Sequence, residues 1–167
     1  MTAPRKNASR LKRWGWLFAF VALAATAQEL DGIRYRVLAS GSADSAAETA
    51  QRMLALLAQG DIQRAAEMSN APERRRQVLD DYRARVGESE FRRIFAQYAS
   101  PPNRLVAEVA IGERHLLVWD LADAGHALAG QYFVRTGDRF ILDDTPNEER
   151  ARLQRVLAAY RGGRIKP

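Results

Sequence analysis

Apolar and polar positions alternate with two different periods along the chain, helical in the first half and strand-like in the second. Ala46, Ala50, Met53, Leu54 and Leu57 recur at the spacing of one helix face. Ser45-Ala46-Ala47-Glu48 has the capping-box form, in which Ser receives the N3 amide and Glu reaches back. A helix is therefore predicted to start there and to end at Gly60, where a left-handed stop costs little. Asp61 opens a shorter second helix with Ile62, Ala65, Ala66 and Met68 on one side. Pro72 suits the first position of a third, because the missing N–H would be unpaired there anyway; its stripe is Val78, Leu79, Tyr82 and Val86. Ser89 is expected to cap a fourth helix carrying Phe91, Ile94, Phe95 and Tyr98, which Ser100-Pro101-Pro102 ends.

From Arg104 the period falls to two. Leu105, Ala107, Val109 and Ile111 alternate with Arg104, Val106, Glu108 and Ala110, and Gly112-Glu113 can turn the chain into a second strand, Arg114–Leu121. Asp123-Ala124-Gly125 leads to a third strand over 126–135 and Gly137-Asp138 to a fourth over 139–143. Thr145-Pro146-Asn147-Glu148 repeats the capping-box logic, and Leu153, Val156, Leu157 and Tyr160 line a closing helix over 146–160. Earlier, Ile33, Tyr35 and Val37 alternate within 28–44, a segment that reads as a strand or a tether. The predicted fold is α+β: N-terminal helices packed on a curved antiparallel four-stranded meander, plus a C-terminal helix, in one domain over 45–161 with a loose tail over 162–167.

Composition changes this picture only at the N-terminus. Arg5, Lys6, Arg10, Lys12 and Arg13 precede the uncharged run 14–27, which ends Ala25-Thr26-Ala27. A basic segment, an apolar segment and an A-x-A site form a secretory leader. Fourteen residues as a helix span roughly 21 Å, short of a bilayer core of about 30 Å, so cleavage after Ala27 and a periplasmic product are expected. The competing expectation is an uncleaved signal-anchor, with Trp14 and Trp16 at the membrane interface. No Arg-Arg pair stands in the basic segment, which points to the general secretory route, and the chain has no cysteine to carry a lipid or a disulfide. Five of the 26 bases lie in residues 1–27 and none of the 20 acids does, leaving 21 against 20. The pI of about 10.1 thus belongs to the leader, and nucleic acid is not an expected partner.

The stretch Leu56-Leu57-Ala58-Gln59-Gly60-Asp61-Ile62-Gln63-Arg64-Ala65-Ala66 resembles the helix-Gly-Asp-helix start of exported bacterial nuclear transport factor 2-like domains, and the element order is similar over residues 45–144. The helix over 146–160 is an addition to that pattern. The resemblance implies a cone-shaped fold whose sheet wraps a pocket, used for ligand binding, protein association or catalysis.

The strands supply the candidate chemistry. A turn at Gly112-Glu113 opposes Ala110 to His115, Glu108 to Leu117 and Val106 to Trp119; pairing Leu121 with His126 would set His115 opposite Tyr132, and a turn at Gly137-Asp138 would set Asp143 beside Tyr132. Glu108, His115, Tyr132 and Asp143 would then share a face with Trp119, a carboxylate orienting an imidazole that acts as acid or base on a ligand held against the indole. The same alternation also describes a solvent-facing sheet surface. His126 reads as an exposed edge residue. Arg74, Arg75 and Arg76 in the first turn of the third helix are either an anion site or a solvated face paired with Glu73, Asp80 and Asp81. Neither histidine has a second ligand at metal-binding spacing, and no phosphate loop, Gly-x-Ser-x-Gly or cofactor motif occurs. The expected role is a non-catalytic binding or association module without metal or cofactor. Its partner is a small apolar ligand at Trp119 and Tyr132, another protein, or a second copy in a homodimer. The alternatives are a small hydrolase, isomerase or dehydratase using the His/Tyr/carboxylate cluster, and a membrane-tethered accessory protein.

Overall fold

A computed structural model describes residues 25–166. Its elements are β1 (Thr26–Leu30), β2 (Ile33–Leu38), α1 (Ala47–Ala58), α2 (Ile62–Glu67), α3 (Pro72–Val86), α4 (Glu88–Tyr98), β3 (Arg104–Ile111), β4 (Arg114–Leu121), β5 (Ala127–Thr136), β6 (Arg139–Leu142) and α5 (Glu148–Arg161). All six strands are antiparallel and lie in chain order, so the four helices α1–α4 form one excursion between the adjacent strands β2 and β3. The α+β class is as expected. The sheet has two strands more than the expected meander, because 26–38 forms a hairpin at its edge instead of a single strand or tether. Its turn is Asp31-Gly32, with φ of 51° and 77°. Two successive left-handed residues suit the right-handed twist of flanking strands, and Asp-Gly adopts them readily.

Both faces of the sheet are covered. Met53, Leu57, Phe91, Leu117 and Phe133 form one core between α1–α4 and the sheet. Leu116, Val118, Leu153, Val156 and Leu157 form the other, beneath α5. Gly130 in β5 sits where α5 comes closest, since a Cβ there would lie 2.5 Å from Leu157 Cδ2. The stripe predicted for α3 is thinner than expected: Leu79 is buried, but Val78 is 51 % exposed. Tyr82 instead packs edgewise on Phe95 and tilted on Phe91, at centroid distances of 6.3 and 6.0 Å.

Helix starts follow local chemistry in some places and tertiary structure in others. Asp61 caps α2 by accepting from the Arg64 N–H, and Pro72 opens α3, both as expected. Ser89 does not cap α4, which starts one residue earlier, after Gly87. The cap of α5 is Asn147 rather than Thr145, and Pro146 stands ahead of the helix. In α1 the expected reciprocal box is absent: Glu48 pairs with Arg52 on the surface, and Glu108 from β3 takes its place at the helix start.

Most of the expected leader lies outside the described residues. Thr26 and Ala27 do fall within them, pairing with Val37 and Arg36. Cutting after Ala27 would leave Gln28, Glu29 and Leu30 in β1. No helix among the described residues is long and apolar enough to cross a membrane.

Candidate functional site

The five residues expected to share one sheet face divide between two. Ala110 opposes His115 and Glu108 opposes Leu117, as expected, but a bulge at Val106 brings Leu105, not Val106, opposite Trp119. Between β4 and β5 the chain forms a helical turn, Ala122–Ala124, and passes through a left-handed His126 with φ of 63°. That connection uses one residue more than a simple turn. Leu121 therefore pairs with Ala127, and His115 with Phe133. A slip of one residue reverses a strand's faces: Tyr132 turns toward α5 while His115, Glu108 and Trp119 remain toward α1–α4. Asp143 does lie beside Tyr132, its N–H donating to the Tyr132 carbonyl at 2.8 Å, so it leaves the histidine as well. His126 is exposed, as expected, with Nδ1 3.0 Å from Asp120.

Glu108 and His115 form a sealed pair. Glu108 Oε1 lies 2.7 Å from His115 Nδ1, and the two side chains are 5 % and 1 % exposed. The same Oε1 accepts from the Ala46 N–H at 2.8 Å, and Oε2 accepts from Ser45 Oγ at 2.5 Å. The imidazole packs on Phe140 at 4.6 Å. Two of the donors around this carboxylate, the Ser45 hydroxyl and the Ala46 N–H, stand at the start of α1, where a negative charge is favoured by the helix dipole. The arrangement holds α1 against β3.

Tyr132 and Asp143 belong to a different place, created by the unequal lengths of β5 and β6. Because β6 pairs only with residues 133–136, the preceding half of β5 is an unpaired edge. A cleft of about 270 Å³ opens there between the two helical layers, floored by Met53, Leu54, Leu79 and Phe95 and walled by residues 130–132. It adjoins a second cavity of about 240 Å³ that shares Leu54, Phe95 and Gln131 and adds Tyr98, Trp119 and Leu121. Trp119 Nε1 donates to Gln131 Oε1 at 2.9 Å, so the indole's one polar atom is satisfied within the wall. Trp119 and Tyr132 thus lie in adjoining cavities on opposite sides of Gln131 rather than on one face.

Charged groups close the Tyr132 end. Asp143 is buried and accepts from Asn70 Nδ2 at 2.7 Å, Arg114 Nε at 3.1 Å and Asn147 Nδ2 at 3.2 Å. Asp144 accepts from Ser69 Oγ at 2.7 Å and from Nε and a terminal nitrogen of Arg75. Burial works against the Asp144 carboxylate, but the hydrogen bonds from Arg75 and Ser69 and the charges of Arg75 and Arg150 outweigh it and hold its pKa below the ordinary 3.8. Of the arginine triplet, Arg75 therefore turns inward to Asp144, whereas Arg76 pairs with Glu73 on the surface. Arg150 donates to the Asp143 carbonyl and lies 5.0 Å above the Tyr132 ring. Burial pushes the Tyr132 phenol up, against the opposing charges of Arg150 and Arg161. Arg75 stands out in the sequence only as part of the basic triplet, and nothing local marks Arg150 as facing a cavity.

Among the described residues no group of three or more histidine, cysteine or acidic side chains is placed to hold a metal ion. Compared with family models, curated proteins and solved structures, the chain matches none.

Proposed function

We propose that this chain is an exported, periplasmic binding module of the nuclear transport factor 2-like kind that holds a small, largely apolar ligand without catalysis. The observation that carries the reading is the pair of adjoining cavities beside the open half of β5, floored by Leu54 and Phe95 and reached by Trp119 and Tyr132. Their sizes, about 270 and 240 Å³, together fall within the roughly 300–1,000 Å³ usual for ligand pockets. The apolar floor of Met53, Leu54, Leu79 and Phe95 favours burial of hydrocarbon, at about 0.8 kcal/mol per methylene, while charged groups stand at the Tyr132 end. Four helices followed by the antiparallel strands β3–β6, with Gly60-Asp61 at the junction of α1 and α2, support the family. The basic-apolar-AxA leader supports export.

The test is a titration of the full chain with decan-1-ol, followed by tryptophan emission. Wild type should show a saturable change that Trp119→Phe lacks; equal responses in the two proteins, or none, would contradict a pocket at this indole. N-terminal sequencing of the exported protein checks compartment. A start at Gln28 is expected, and recovery of the intact leader in the membrane fraction would favour the tethered alternative.

A further inference from the structure

The geometry points to a specific ligand class for this cleft: a linear monocarboxylate whose alkyl chain lies along Leu54, Phe95 and Trp119 and whose head meets Arg150. This rests on the cleft being a binding site and adds what its polar end selects.

Counting donors and acceptors at that end decides the sign of the head group. Both oxygens of Asp143 already receive donors, from Asn70 on one and from Arg114 and Asn147 on the other. Both oxygens of Asp144 are likewise taken, by Ser69 and Arg75. Each oxygen of both carboxylates thus already accepts at least one hydrogen bond. Arg75 is neutralised in the same contact. Arg150 differs. A guanidinium has five N–H donors, and of these only one is used by a side-chain hydrogen bond, to the Asp143 carbonyl. Among the described residues Arg150 makes no direct ion pair with a carboxylate, although its charge helps hold the Asp144 carboxyl down, and its guanidinium carbon lies 5.0 Å from the centroid of the Tyr132 ring. The polar end therefore offers unused donors on Arg150 beside carboxylates that already accept three hydrogen bonds each.

A planar carboxylate matches a guanidinium edge in two parallel hydrogen bonds, which the single oxygen of an alcohol cannot make. The second cavity, which shares Leu54, Phe95 and Gln131 with the first and adds Trp119, Leu121 and Tyr98, has no charged group in its lining. An acceptor head at one end and an apolar channel behind it describe an unbranched carboxylic acid of medium length.

The probes are decanoate and decan-1-ol, which share a chain and differ in the head, titrated calorimetrically into the full chain. Wild type should bind decanoate at least about tenfold more tightly than decan-1-ol, the difference expected for one charge-assisted contact. Octanoate should be weaker by about fourfold for each methylene lost. Arg150→Gln should remove the preference for decanoate while leaving decan-1-ol affinity unchanged, and that unchanged affinity shows the cleft is still folded. If Arg150→Gln loses decan-1-ol as well, Arg150→Lys replaces it: the lysine keeps charge but not the paired geometry, and a reduced decanoate preference is expected. Equal wild-type affinity for the two probes, or a preference that survives Arg150→Gln, would overturn the carboxylate assignment while leaving the cleft intact. Binding of neither probe would overturn the cleft itself.

Discussion

Two polar clusters, one on a face of the sheet and one at its open edge, show how differently buried charge can be employed. Around the Glu108–His115 pair each Glu108 oxygen has a donor, the imidazole is packed on Phe140, and both residues are buried, although Glu108 and Ser45 also edge a cavity of about 490 Å³. The cluster around Asp143 and Asp144 also borders a cavity, but it leaves Arg150 with donors to spare. A satisfied cluster fixes structure; one with unused capacity at a cavity wall can receive something from outside. Sequence pattern alone cannot separate the two, since both consist of polar residues in alternating strands.

The contrast predicts unequal costs when each part is disturbed. The largest effect is expected at Glu108. Glu108→Ala leaves the Ser45 hydroxyl, the Ala46 N–H and the imidazole unpaired in the interior, so unfolding free energy measured in urea should fall by about 3–5 kcal/mol. A loss below about 1 kcal/mol would mean that this pair does not hold α1. Next is Gly130→Ala, which drives a methyl group against Leu157 and Leu116. Overpacking of this kind costs about 1–3 kcal/mol, and Leu157→Ala in the same chain should recover part of the loss in a double-mutant cycle. Asn147→Ala removes the α5 cap and one donor to Asp143. It should cost about 1 kcal/mol and weaken decanoate binding, because Arg150 stands in the first turn that the cap holds.

The smallest expected effect is one of pH. With a folded pKa below 3.8, Asp144 binds its proton more readily when unfolded. Its contribution to stability is therefore complete above that ordinary value and disappears as the pH falls through the depressed one. In acid titrations followed by circular dichroism, Asp144→Asn should lower stability at neutral pH and lessen its decline below pH 3.8. An unchanged acid profile would show that the Arg75 contact is not maintained in solution.

Local signals located much of this fold. Asp61 and Pro72 open their helices, and the turns at Gly112-Glu113 and Gly137-Asp138 set their strand pairs in register, because each depends on neighbours in sequence. Asp31-Gly32 between Leu30 and Ile33 is an equally local hairpin signal, although the alternation within 28–44 by itself describes only a single strand or tether. The β4–β5 register was beyond such reasoning: a helical turn and a left-handed His126 add one residue, and that residue sends Tyr132 to the other face. The capping of α1 by Glu108 spans 62 residues and leaves no trace near Ser45. The cleft itself arises from a difference in strand length, ten residues in β5 against four in β6. Trp119 and Tyr132 were legible as ligand candidates, but the floor of Leu54 and Phe95 and the rim arginines depend on how the helical layers meet that open edge.

The central claim is that the gap beside β5 is a binding site, and nuclear magnetic resonance of the chain with decan-1-ol tests it most directly. Intermolecular Overhauser contacts from the alkyl protons to Leu54, Phe95 and Trp119 are predicted. Contacts confined to exposed apolar residues such as Val78, or none at saturating alcohol, would contradict it.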